Sequence, residues 1–312
     1  MGDCGSYRLD GGDERDAPIM IVETFAEVRG AARGSSVSLV PTMGYLHDGH
    51  VSLVEIGRDT GDLVVMSLFV NPLQFGQSAD LERYPRDLER DSEIAEAAGV
   101  DVLFVPSVAE MYPTPPRTRV RVDGVADAME GKHRPGHFEG VATVVAKLFA
   151  GIRPDTAVFG RKDAQQLALV RRMAIDLSFP VEIIGAPTMR SVDGLAISSR
   201  NVLLTDQDRN VALGLSSGLF AAAAASAAGE RVATELQQTV AKHVEAAGGE
   251  VEYVTLADAF EAEPIDDLDR EAFLAVAARV GNVRLIDNVV LWPDGSADLG
   301  VRLQGPSMLR RN

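Results

Sequence analysis

The segment Pro41-Thr42-Met43-Gly44-Tyr45-Leu46-His47-Asp48-Gly49-His50 joins a short apolar strand, Ser36 to Val40, to a helix expected from Val51 onward. This strand–turn–helix order constrains the fold more than any other stretch, because strands that feed helices build parallel α/β sheets. It also constrains chemistry. Backbone N–H groups at a helix N-terminus lack partners and carry the positive end of the helix dipole, so they attract phosphate. Gly44 and Gly49 let the chain turn and let a ligand approach the backbone. His47 and His50 each read singly as polar helix caps. Paired at this spacing, with two glycines after a strand, they read as donors to phosphate oxygens on which charge develops.

Apolar runs alternate with helical patterns through the first 190 residues. Leu63 to Val70, Asp101 to Val105, Ala157 to Gly160 and Val181 to Gly185 read as strands buried on both faces. Leu88 to Ala98, Val141 to Ile152 and Ala164 to Leu177 read as helices between them. The pattern predicts an α/β fold, a doubly wound Rossmann-like parallel sheet over residues 19–188, with ligands at the carboxyl ends of its strands. Residues 189–312 read as a second, smaller α+β domain closing over that site. It comprises helices over Asp206 to Ala228 and Glu230 to Ala247, then strands Val251 to Leu256, Phe273 to Ala278 and Val283 to Leu291. Residues 1–18, rich in Gly and Asp, read as a disordered tail.

Charge narrows the partners. With 46 acidic against 30 basic side chains, the formal charge is −16. Such a surface repels nucleic acid and anionic membrane, so neither is expected as a partner. No apolar run of about 18 residues stands out as a membrane span. The single cysteine, Cys4, excludes an internal disulfide and fits a reducing cytoplasm. Positive charge for an anionic substrate must then be gathered locally. Of the four lysines, Lys132, Lys147 and Lys162 fall between residues 130 and 163.

Further segments carry polar groups to strand ends. Asn71 and Gln74 offer neutral amides just past a strand, although Asn71-Pro72 alone reads as a turn. Arg134-Pro135-Gly136-His137, with Lys132 and His133, is either a loop before a helix or a site for a polyanion. Gly160-Arg161-Lys162-Asp163 ends a strand, and Lys162 is suited to a point-charge contact with phosphate. Ile197-Ser198-Ser199-Arg200 places hydroxyls beside a guanidinium, as a phosphate clamp would.

A His-x-Gly-His in this setting resembles the nucleotidylyltransferase superfamily. The set PTMGYLHDGH, FVNPLQF, YPRD, HRPGHFEGVATVV, FGRKDAQQL and SSRN more closely resembles the pantothenate synthetase (pantoate–β-alanine ligase) family, from about residue 19 to 290. The resemblance implies a cytoplasmic homodimer that joins pantoate to β-alanine through a pantoyl-adenylate, splitting ATP to AMP and pyrophosphate. By the same resemblance, Met43, Gly44, Tyr45, Leu46, His47, Asp48, Gly49 and His50 line the ATP site, with His50 as proton donor. Gly160, Arg161, Lys162 and Asp163 contact the nucleotide, Met189 meets its adenine region, and Ile197, Ser198, Ser199 and Arg200 close over the triphosphate. Gln74 and Gln166 bind pantoate, Gln74 also faces β-alanine, and Asp91 holds Mg²⁺. Two positions depart from the family pattern: Arg161, where Glu is usual, and Ile197, where Met is usual.

The residues fit adenylation by their own chemistry. A carboxylate is ionised at pH 7, so the step needs charge neutralisation and in-line positioning and no general base. Two other readings stay open at this point. A plain nucleotidylyltransferase would use His47, His50 and Ser198 to Arg200 but not the amides of Gln74 and Gln166. A non-catalytic adenylate-binding homologue would have degenerated at Arg161 and Ile197.

Overall fold

The computed structural model describes residues 18–75, 81–82 and 84–309. All but the last residue of the expected N-terminal tail, and the polar stretch 76–80, lie outside it. Six parallel strands form the main sheet: β1 (Met20–Val22), β2 (Val37–Thr42), β3 (Leu63–Leu68), β4 (Val102–Phe104), β5 (Thr156–Gly160) and β6 (Glu182–Ala186). Their spatial order is β1-β4-β3-β2-β5-β6. From β2 the chain winds outward through β3 to β4, then β5 returns to the far side of β2. The winding therefore reverses between β2 and β5, and the crevice beyond the strand ends at such a reversal is where open α/β sheets bind ligands.

Two-sided burial explains why these strands read as continuous apolar runs. Leu39, Val65 and Ala157 face one core with Phe104, Phe149 and Leu169, while Val40, Val64 and Val158 face another with Leu46, Val54 and Met66. The helices that cover the sheet are α1 (Phe25–Ala31), α2 (Asp48–Thr60), α3 (Leu88–Ala98), the short α4 (Val108–Met111) and α5 (Met129–His133), α6 (His137–Ile152) and α7 (Ala164–Asp176). β1, α1 and the short α4 and α5 were not anticipated. Two helices start ahead of their expected bounds: α2 at Asp48, before Val51, and α6 at His137, four residues before Val141, so His137 lies in its first turn.

After β6 the chain changes sheet. β7 (Met189–Arg190) pairs in parallel with β12 (Val301–Arg302). Helices α8 (Asp206–Ala227) and α9 (Ala233–Ala246) cover an antiparallel sheet of order β11-β10-β9-β8, built from β8 (Glu250–Asp258), β9 (Ala272–Val280), β10 (Val283–Leu291) and β11 (Ala297–Asp298). By length and hydropathy α8 could cross a membrane, contrary to the sequence reading, but half of its most apolar window is buried in the protein's own core. There Leu215, Leu219 and Ala222 meet Leu236, Val240 and Val244. Within the second part Arg190, fully buried, ties β7 to β10, donating to Asp287 at 2.7 and 3.0 Å and to Asn288 O at 3.0 Å. A buried guanidinium is tolerated only when paired and hydrogen-bonded in this way.

Candidate active site

The turn after β2 delivers both imidazoles to the sheet reversal. His47 caps α2 and His50 lies in its first turn, with ring centres 4.0 Å apart and 24° between planes. His47 N–H donates to His50 Nδ1 at 3.2 Å. That nitrogen is therefore an acceptor, and the proton of a neutral His50 sits on Nε2. Burial, assisted by the charges of Lys162 and Arg90, lowers the His50 pKa to about 4. Burial, then His50 and Lys162, holds His47 well below its ordinary value too. Both rings are neutral donors at pH 7. His47 Nδ1 is buried beside Gly49 and has no hydrogen-bond partner among the described residues.

The turn itself is unusual. Gly44 has φ +86° and Tyr45 φ +54°, the second a left-handed conformation that a side chain disfavours. It is clasped from the start of α3. Asp91, only 2% exposed, accepts from Tyr45 N at 2.7 Å on Oδ2 and from Leu46 N at 2.7 Å on Oδ1. Asp91 was expected to face Mg²⁺; it faces backbone amides instead. Among the described residues no three Asp, Glu, His or Cys side chains converge as a metal cage. The protein's own carboxylates therefore do not fit a built-in Mg²⁺ site.

Gln74 and its neighbours form a buried relay. Gln74 Nε2 donates to Met43 Sδ at 2.8 Å, linking it to the turn, and its Oε1 accepts from Asn71 Nδ2 at 3.1 Å. Asn71 Oδ1 accepts from Tyr112 Oη at 2.9 Å, and Asn71 Nδ2 also donates to Gly140 O at 3.0 Å. His137 Nε2 lies 3.1 Å from an Arg134 nitrogen that can only donate, so His137 Nδ1 carries the proton and donates to Gln74 O at 3.0 Å. Burial, then Arg134, lowers the His137 pKa to about 4. Asn-Pro here is thus both a turn and a site wall.

After β5, Gly160 leads into a 3₁₀ turn, Arg161–Asp163, and then α7. Asn288 of β10 reaches across to hold this turn, its Nδ2 donating to Arg161 O at 3.0 Å and Lys162 O at 2.7 Å. The charge of Asp163 acts on His50 and, as the smallest of several influences, on Arg134, His137 and Tyr84. The two adjacent glutamines separate cleanly. Gln165 is buried and donates to Val125 O and Ala128 O, a structural pin. Gln166 lines a half-open cavity with Arg134, His137, Lys162 and Asp163. Arg161 turns away from the cleft, donating to Asp298 at 2.7 Å and to Gly185 O at 3.1 Å. Its side chain fastens β11 to the main sheet, which accounts for a cation at a position where the family pattern has Glu.

Across the cleft, Ile197 is buried and donates its N–H to Met189 O at 2.9 Å, which holds the two residues of the pair together. Ser198 caps the next 3₁₀ turn, accepting from Arg200 N at 3.3 Å and donating its own N–H to Asn201 Oδ1 at 2.7 Å. Tyr84, whose phenol burial pushes up, hydrogen-bonds Ser199 and feels the charge of Arg200, so the two remote segments meet. Asp48 points elsewhere: Met308 N donates to its Oδ2 at 3.2 Å.

One cluster had no sequence signal. Glu130 of α5 is buried and accepts from Arg284 at 2.6 and 2.8 Å and from Tyr253 Oη at 3.0 Å, at the wall of the same cavity. Its partners lie more than 120 residues away, and no local pattern announces such a pairing.

Comparison with known proteins gives a consistent set. A family model described as pantoate-beta-alanine ligase matches residues 20–290. The chain is 49% identical over 277 residues to a pantothenate synthetase of Moorella thermoacetica, covering 87% of this chain and 98% of the relative. It is 50% identical over 288 residues to one from Acidothermus cellulolyticus, covering 90% and 94%. Among solved structures, the pantothenate synthetase of Thermus thermophilus superposes with TM-score 0.83 at 47% identity, over 86% of this chain and 98% of that one. A pantoate-beta-alanine ligase from Francisella tularensis, complexed with beta-gamma ATP and beta-alanine, gives TM-score 0.71 at 33% identity, over 86% and 97%.

Proposed function

The chain belongs to the pantoate–β-alanine ligase family, and from that premise we propose how its cleft carries out the reaction. The activity is the ATP-dependent condensation of pantoate with β-alanine. One observation carries the assignment of the site. Lys162 acts on both imidazoles, and Asp163 beside it acts on His50, Arg134, His137 and Tyr84, so groups from four stretches of chain share one field at the sheet reversal.

In the first step a pantoate carboxylate oxygen attacks the α-phosphorus of ATP, the α–β bridging bond breaks, and pyrophosphate leaves with the electron pair. His50, through Nε2–H, and His47 donate to the phosphates as charge moves onto the leaving group. Lys162 supplies a compact positive charge, and Ser198, Ser199 and Arg200 close on the triphosphate from the opposite wall. The backbone of Met43 to Gly49 and of Gly160 to Asp163 borders the nucleotide, with Met189 and Ile197 beside the adenine. Gln74 and Gln166 orient pantoate, and Gln74 then faces β-alanine. In the second step the neutral amine attacks the acyl carbon and sheds a proton, and AMP departs as the acyl–oxygen bond breaks. Closure of residues 189–312 over residues 19–188 keeps water from the adenylate.

Mg²⁺ would arrive on the nucleotide's phosphates, which need few protein ligands. A homodimer acting in the cytoplasm is the remaining part of the proposal, supported for the compartment by the single cysteine. The test is to incubate the protein with ATP, Mg²⁺ and pantoate, with and without β-alanine. Pyrophosphate release that requires pantoate, and AMP release that requires the amine, is expected. A stable nucleotidyl product would overturn the two-step scheme, and a monomer in light scattering would overturn the dimer.

A further inference from the structure

Arg90 and Asp91 grip the turn before the imidazoles from both sides of its backbone. Asp91 takes the N–H groups of Tyr45 and Leu46 on separate oxygens, each at 2.7 Å. Arg90 donates to Leu46 O at 2.8 Å and to Asp91 Oδ1 at 3.3 Å, and its guanidinium lies 5.0 Å from the Tyr45 ring centre. The pair is itself held by α3, where Asp87 accepts from Arg90 N at 3.1 Å. Gly44 leaves room for the carboxylate: a Cβ there would sit 2.9 Å from Asp91 Oδ2. A left-handed residue such as Tyr45 costs about 1–3 kcal/mol and persists only where its surroundings over-determine it. Two residues further on, the same backbone supplies His47 N–H to His50 Nδ1.

We propose that Asp91, with Arg90, is a positioning residue for the adenylation step: it fixes the Tyr45–Leu46 backbone and so aims His47 and His50, and it is not a ligand for Mg²⁺. This deepens the assignment of the site given above and rests on it. Both carboxylate oxygens are committed and the group is buried, so it has no open face toward nucleotide phosphates. Displacing a preorganised donor by a fraction of an ångström to 1 Å costs a reaction up to about 10²-fold.

The test compares Asp91→Asn, which presents an amide donor to one backbone N–H, with Arg90→Gln, a change at a more exposed side chain. Pantoate-dependent pyrophosphate release should fall in kcat by about 10²-fold for the first and about 10-fold for the second. KM for pantoate and β-alanine should stay within about twofold of wild type, and half-saturating Mg²⁺ should not move. Independently of activity, amide hydrogen exchange in the 43–50 segment should quicken in both variants while that of the sheet core stays unchanged. A raised Mg²⁺ requirement, with the rate restored by excess Mg²⁺, would make Asp91 a metal ligand and end the proposal. So would unaltered exchange in the 43–50 segment, or wild-type kcat in both variants. If wild-type protein released no pyrophosphate, the assignment of the site would fail while the exchange experiment still decided the clasp.

Discussion

His47 and His50 stack with ring centres 4.0 Å apart, an arrangement that two protonated rings would oppose by charge repulsion. With the His50 pKa at about 4 and that of His47 also lowered, neither ring takes up a second proton near neutral pH, and each keeps one N–H donor and one acceptor nitrogen. Burial sets most of this shift, and the positive charges of Lys162 and Arg90 add to it. A bound triphosphate reverses the sign of the local field, so nucleotide binding should raise both imidazole pKa values. Histidine titration followed by NMR, with and without a non-hydrolysable ATP analogue, checks this; an unmoved His50 would count against its contact with phosphate. Lys162→Ala should have a paired signature. Pyrophosphate release should fall by at least about 10²-fold with the fold intact by circular dichroism, while the His50 pKa in the free protein moves upward. His50→Ala should lose activity similarly, and wild-type rates in either variant would refute the assigned role. At this scale the candidacy of Lys162 and the imidazoles could be read from residue type and local spacing. The clasp made by Asp91 could not, because its partners lie 45 and 46 residues away, and a carboxylate's type does not say whether it meets a metal or an amide.

The wall formed by the Asn71–Gln74 turn depends on how closely α6 can approach it. Gly140 makes that approach possible: a Cβ there would run into Leu73 O and lie 2.6 Å from Gln74 N. The Gly140 carbonyl in turn accepts from Asn71, whose other contacts fix Gln74. Gly140→Ala should therefore push the helix and turn apart, lowering stability by about 1–3 kcal/mol. Because Gln74 moves while the β2 turn stays, KM for pantoate should rise more than KM for ATP. Thermal melts and initial rates check both, and equal effects on the two KM values would place the damage elsewhere. The elements themselves were largely readable. Strands buried on both faces give unbroken apolar runs, and α7 to α9 run long enough to show their period. β1, β7, β11 and β12 have two or three residues each, too few for any period, and exist because a neighbouring strand pairs with them.

The two-part organisation was also visible in the change of texture near residue 189, but its fastenings were not. Glu130–Arg284 and Arg161–Asp298, which join the two parts, span 154 and 137 residues of chain, Arg190–Asp287 within the second part spans 97, and each needs the finished fold to bring its partners together. These pairs and the buried histidines together set how the whole molecule responds to acid. His47, His50 and His137 titrate below the ordinary 6.5 when folded, so between that value and about 4 the unfolded chain binds protons that the folded one refuses. Stability must then rise with pH up to about 6.5 and fall as pH drops below it. Glu130 acts lower. Burial alone would raise its pKa, but the hydrogen bonds and charge of Arg284 outweigh this and hold the carboxyl below 4.5. Its contribution is present above 4.5 and is lost as pH falls through the folded value. Asp91 and Glu55, which burial pushes upward from 3.8 and 4.5, act in the sense opposite to the histidines. Thermal melts of nucleotide-free protein should thus show a falling midpoint from pH 7 to 5.5, with proton uptake on unfolding measurable by calorimetry in buffers of different ionisation enthalpy. Saturating ATP analogue, by raising the folded imidazole pKa values, should shrink that uptake. A midpoint flat across this range, or proton release on unfolding, would mean that the three imidazoles are not held neutral within the fold.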